Sequence, residues 1–224
     1  MKLTIASGIF ALVFCLAAGV EGGEFRIGAH GNYIHPKDSA FDEQFGYGGA
    51  LKYKFTDTLG FEVGCDYFRW SVDELSEMPY GQASGPVYFN ETDRVFPIYF
   101  TALIFSPNLE EDARAYLGLG GGYYEVDADI GGNYTVTIGD TSYPMTIDGE
   151  VKGQWSVHAA VGADFMLSEH IFLNVEARYV FVDLDREQTH STTVPTPTGI
   201  QSVTVKDEAD FNNWQVRLGL EYSF

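Results

Sequence analysis

The sequence predicts an all-β fold: a single eight-stranded antiparallel up-and-down barrel with long loops at one end. Two observations carry this. Alternation of apolar and polar residues with period two recurs along the chain, whereas no stretch after Glu24 shows the 3.6-residue period of an amphipathic helix. The connections between the alternating segments are long and short in strict turn, as in a meander whose long loops all gather at one end. Composition sets the outer bounds. The 224 residues carry a formal net charge of -19, but 15% are aromatic, far too many for a disordered acidic tail. Thirteen Lys and Arg against 32 Asp and Glu exclude a phosphate-backbone binder, so no nucleic-acid partner is expected.

Residues 1–22 read as a signal peptide and residues 23–224 as the barrel domain. Lys2 is a short positive region, Leu3 to Leu16 is an apolar run broken only by Thr4, Ser7 and Gly8, and Ala17, Ala18 and Gly19 follow. Cleavage is expected between Ala18 and Gly23. The run is short for a spanning helix and lacks a basic flank, which argues against an uncleaved anchor. Phe14 spoils the small-residue context that lipidation of Cys15 would want. With Cys15 removed, Cys65 is the sole mature cysteine and no intramolecular disulfide can form.

The first strand sets Phe25, Ile27, Ala29 and Tyr33 against Glu24, Arg26, His30 and Asn32. The eighth sets Trp214, Val216, Leu218, Leu220, Tyr222 and Phe224 against Gln215, Arg217, Gly219, Glu221 and Ser223. Between them, strands are expected at about 47–55, 59–70, 94–105, 113–124, 155–166 and 171–181. Long connections fall near 36–44, 71–92, 125–152 and 183–210; the short ones fall near 56–58, 106–112 and 167–170. Strand four is apolar on both faces from Val95 to Phe105, so its register is not legible, and Pro97 suits a bulge or a strand end.

Strands of about ten residues suffice to cross a bilayer at a tilt. Alternation alone does not say which face is wet. The polar face, however, carries Gly28, Gly48, Gly60, Gly64, Gly118, Gly120, Gly122, Gly162 and Gly219 among its charges. Small residues relieve crowding inside a narrow barrel and serve no purpose on a soluble barrel's outer surface, so the polar face is assigned to the lumen. A soluble lipocalin-like binder would have the opposite arrangement. The assignment places Arg26, Lys52, Lys54, Arg114, Arg178 and Arg217 inside, balanced by Glu24, Glu62, Asp66, Asp164, Glu176 and Glu221. Buried charges are tolerable only when paired, so a neutral, cross-linked, plugged lumen is expected, without a porin-like general channel.

Three passages carry a family resemblance. Tyr116 to Asp127 (YLGLGGGYYEVD), Val161 to Asp183 (VGADFMLSEHIFLNVEARYVFVD) and the ending LGLEYSF resemble the small Gram-negative outer-membrane β-barrels, the OmpA-like transmembrane domain and the OmpX/OmpW-like group. The resemblance spans the mature chain. It implies a transmembrane barrel in the cell outer membrane, in contact with its lipid and lipopolysaccharide. It also implies that the stripe Trp214, Val216, Leu218, Leu220, Tyr222 and Phe224 serves as the signal read by the barrel-assembly machinery. No periplasmic peptidoglycan-binding segment is expected.

An enzyme is not expected. Ser156 and His158 lie two apart on one strand with Glu176 on the next, and lipid A-modifying barrels use such residues, but their His-x-Ser order is reversed here and the register sends both into the lumen. No cofactor or metal is expected either. Asp127 and Asp129 before Gly131 lack the further acidic ligands of a calcium loop, and the five His residues make no pair at strand spacing. Cys65 reads as a small hydrophobe on the lipid side. Two hairpins are expected in the loops, Tyr134 to Ile138 with Ser142 to Ile147, and Thr189 to Val194 with Ile200 to Val205. Their edges could pair with a host or surface protein. The function so indicated is a structural or surface-interaction role, in adhesion or envelope integrity. The alternative is a narrow channel or small hydrophobic-ligand conduit, as attributed to OmpW-like barrels, which a charged lumen does not favour. The four long connections hold 19 acidic and four basic residues, an acidic crown that divalent cations could bridge to lipopolysaccharide.

Overall fold

The computed structural model describes residues 23–37, 42–72, 88–107, 112–138, 141–151, 153–192 and 202–224. The signal-peptide segment, residues 1–22, lies outside them. The described strands are β1 (Glu24–Pro36), β2 (Gln44–Lys54), β3 (Leu59–Val72), β4 (Tyr88–Phe105), β5 (Ala113–Ile138), β6 (Thr141–Val151), β7 (Gln154–Ser168), β8 (Ile171–Phe181), β9 (Asp183–Thr192), β10 (Ser202–Asp210) and β11 (Asn213–Ser223). No helix occurs among the described residues.

Eight of these strands close a barrel. β1 pairs with β2, β2 with β3, β3 with β4 and β4 with β5; β5 pairs with β7, β7 with β8, β8 with β11, and β11 returns to β1, all antiparallel. Closure removes every free edge at membrane depth, where an unpaired backbone N–H or C=O would find no water. The other three strands extend the barrel beyond its loop-side rim. β6 is followed by β7 after residues 152–153, β8 by β9 across Val182, and β10 by β11 across Phe211 and Asn212. Phe211 donates its N–H to the Val182 carbonyl (3.0 Å), and Val182 donates to Asn212 Oδ1 (3.0 Å), so the backbone groups freed at this break are satisfied locally.

The long connections near 125–152 and 183–210 are therefore largely strand among the described residues. β5 is 26 residues long, about 85 Å of extended chain, more than twice what a bilayer crossing needs. The two hairpins form, with Thr137 opposite Ser142 and Thr189 opposite Thr204; Val194 and Ile200 lie outside the described residues. Their edges are not both free: β6 pairs with β9, so the hairpins join into a wall of β4, β5, β6, β9 and β10 standing on one side of the mouth.

Strand four acquires a register. Val95, Tyr99, Thr101, Leu103 and Phe105 are buried toward the lumen, while Phe96, Ile98, Phe100 and Ile104 are exposed on the outer wall. Pro97 neither ends the strand nor shifts it. β4 pairs without interruption with β5, and on the β3 side pairing lapses only between Cys65–Ile98 and Phe68–Val95 before resuming in the same register. Two register positions, Asp66/Pro97 and Tyr67/Phe96, go unpaired around Pro97, which has no N–H to give.

Candidate functional site: the closed lumen and the outer wall

Alternation along each barrel strand sends one face inward, and the inward residues sort into three levels. At the end of the short turns, Lys52 Nζ contacts Glu221 (2.6 Å) and Asp164 (3.1 Å). Arg26 reaches Asp164 (2.9 Å), Glu221 (3.4 Å) and Glu24, and Lys54 reaches Glu24 (3.0 Å). Asn174 adds a hydrogen bond to Asp164 (2.7 Å), and the Arg26 guanidinium lies 3.6 Å from the centre of the Phe172 ring. Arg114, register partner of Asp164, shares this inward face.

At mid-height Arg217 and Arg178 share two carboxylates. Arg217 lies 3.0 Å from Glu62 and 2.9 Å from Glu176; Arg178 lies 3.1 and 2.9 Å from the same pair. Tyr116 donates to Glu176 (3.0 Å), Arg217 donates to Tyr99 and to His30 Nδ1 (3.1 Å), and His30 Nε2 lies 2.6 Å from Asp66. All four members of the central quartet are 2% exposed or less. Such a group is stable because each charge has two partners; losing one member leaves an excess charge buried in the remainder. The glycines make the room. A Cβ on Gly162 would collide with the Tyr116 ring, and one on Gly64 with the Tyr99 ring. A void of about 10 Å³ beside Glu62, Asn174 and Arg217 is the size of one water, not of a channel.

The upper level is different. Ile34, Phe68, Val95, Tyr124, Val180, Val182 and Phe211 fill it, and Ile34, Val95 and Phe211 are completely buried. The polar residues at its lower boundary are Gln215, bonded to Tyr124 (3.2 Å) and Asn213 (2.9 Å), and Asn32, whose side-chain N and O have no partner. The expectation of a neutral, cross-linked, plugged polar lumen does not include this apolar stopper.

Ser156, His158 and Glu176 are not brought together as a reactive group. Ser156 donates to the Gly122 carbonyl (3.3 Å), His158 Nε2 is hydrogen-bonded to Thr101 Oγ1 (2.9 Å), and Glu176 is committed to the arginines. Asp127 and Asp129 stand on β5, their side chains outside the described set. Cys65 is exposed on the outer wall. Above the barrel, hydrogen bonds from Tyr33 and then His35 (2.9 Å) hold the Glu43 carboxyl below the usual carboxylate range.

The outer wall carries Leu117, Leu119, Val157, Val161, Val216, Leu218 and Leu220, all more than half exposed or close to it. Trp214, Tyr222 and Phe224 share the outward stripe of β11 with the last three. Aromatic rings bound this apolar band. Toward the loops every barrel strand contributes one: Tyr33 with Phe45 (ring centroids 5.3 Å apart), Tyr47 with Tyr67 (5.3 Å), Tyr67 with Phe96 (5.0 Å), Tyr123 with Trp155 (5.4 Å) and Tyr179 with Trp214 (4.8 Å). Toward the turns stand Phe25, Tyr53, Phe55, Tyr222 and Phe224. An exposed apolar band between two aromatic girdles is the mark of a barrel solvated by lipid.

A polar, side-chain-filled interior inside a greasy, aromatic-bounded exterior defines an integral outer-membrane β-barrel. The chain matches the outer membrane protein beta-barrel domain over residues 7–224 and belongs to that family. It is located in the outer membrane. Its fold is similar to that of the outer membrane protein OprG from Pseudomonas aeruginosa (TM-score 0.66, 20% identity, covering 92% of this chain and 98% of that one). It is also similar to Neisserial surface protein A (TM-score 0.53, 13% identity, 91% and 100% covered) and to a major outer membrane protein of Thermus thermophilus (TM-score 0.53, 15% identity, 91% and 100% covered). No curated protein sequence matches significantly.

Proposed function

We propose that the protein is a non-conducting, non-catalytic barrel that acts through its surface, in adhesion or envelope integrity. The observation that carries this is the filling of the lumen: a salt-bridged network of buried charges below an apolar stopper of buried side chains. What is left to act is the outside, where five strands rise into a wall and the long connections carry the acidic excess. Export by residues 1–22, recognition of the outward β11 stripe by the barrel-assembly machinery, and divalent-cation bridging between crown and lipopolysaccharide belong to the same proposal. The test is binding of the folded, detergent-solubilised chain to host-matrix and serum proteins, beside small-molecule uptake in a deletion strain. Saturable binding with unchanged uptake supports the surface role. Reduced uptake with no binding overturns it.

One feature favours a second reading, a conduit for small hydrophobic ligands. The upper lumen is apolar, and beside it the β3–β4 ladder lapses at Pro97. Uptake of apolar solutes that falls on deletion, with polar solutes unaffected, would select this reading.

A further inference from the structure

Arg69 and Arg94 are the only Lys or Arg on the outward faces of the barrel strands among the described side chains. They are register partners on β3 and β4, both exposed. Their direction follows from alternation: Phe68 and Val95, their chain neighbours, are buried in the lumen. Each stands two residues, about 7 Å along its strand, beyond a ring of the loop-side aromatic girdle, Tyr67 and Phe96. Girdle aromatics sit at the level of the lipid headgroups, so the two guanidiniums lie at headgroup depth in the outer leaflet.

The pairing is unfavourable by itself. Like charges directly opposite one another on adjacent strands repel. Every inward arginine whose contacts are described above sits against a carboxylate, whereas among the described side chains, which do not include that of Asp127, none pairs with Arg69 or Arg94. On β5, Asp127 holds the register position beside Arg94. An anion bridging both guanidiniums would turn the repulsion into attraction, and the planar fork of arginine matches phosphate oxygens two at a time.

We propose that Arg69 and Arg94 form a clamp for a phosphate group of the anionic glycolipid of the outer leaflet, the phosphorylated lipid A part of lipopolysaccharide. The lipid is the occupant because the pair faces sideways into the bilayer at headgroup depth, where such phosphates are fixed. The clamp needs no metal ion, which separates it from cation bridging by the acidic crown. It rests on membrane residence alone, not on the surface role proposed above.

The experiment titrates the folded full chain in detergent, with chelator present, against lipid A and against lipid A stripped of its phosphates. Wild type is expected to prefer the phosphorylated lipid about tenfold or more, the scale of a few charge-assisted hydrogen bonds. Arg69→Gln with Arg94→Gln should abolish that preference, and Arg69→Lys with Arg94→Lys should keep part of it. Retention of the heat-modifiable gel shift shows that the variants are folded. A wild type indifferent to the phosphates overturns the clamp even if the variants fail to fold. So does a folded double Gln variant with the preference intact.

Discussion

The lower and upper halves of the lumen close the same barrel by opposite means. Below, Arg217, Arg178, Glu62 and Glu176 exchange charge within 3.1 Å; above, Phe211, Ile34 and Val95 exclude water by apolar contact. The difference teaches where each half is vulnerable. A charge network fails when a partner is removed, because the remaining charge is already desolvated. An apolar stopper fails in proportion to the volume removed.

The largest effect is expected from Arg217→Met, which strips Glu62 and Glu176 of a shared cation. It should cost about 3–5 kcal/mol in urea unfolding from lipid vesicles. Adding Glu62→Met should restore part of that loss, since an apolar pair replaces an ionic one; strict additivity of the two changes would show that the charges act independently. Phe211→Ala should cost about 3 kcal/mol in the same assay and leave a dry cavity at the mouth. A loss below about 1 kcal/mol would mean that the stopper is not packed. Asn32→Leu tests the boundary between the halves. Its amide is buried without a partner, so the change should raise stability by about 1 kcal/mol, and a fall of that size would point to a hydrogen-bonded water there. The smallest effect is expected from Ser156→Ala, about 0.5–1.5 kcal/mol for the lost bond to Gly122, with the lipid A profile of the cell unchanged. An altered profile would reopen a catalytic reading.

The halves also differ in how far they are legible in the sequence. Charged residues alternating with Leu and Val share one face, and the glycines on that face assign it to the lumen, so Arg26, Lys52 and Glu176 are legible as inward. Their partners are not so declared, because Arg217 and Glu62 meet from 155 residues apart. The upper half hides for two reasons. Strand four presents apolar residues to lumen and lipid alike, so its alternation vanishes, and Phe211 sits in a stretch that reads as loop. Both hairpins are legible from their turns, but the β6–β9 pairing that welds them has no local signature. Glycines on the polar face announce a crowded interior; that Tyr116 and Tyr99 occupy the space they leave is a property of the closed barrel.

Solute flux through the folded full chain in planar bilayers tests the closed lumen most directly. The wild type is expected to show no stable open level in either polarity. A large, persistent conductance of the wild-type barrel would contradict the closed lumen.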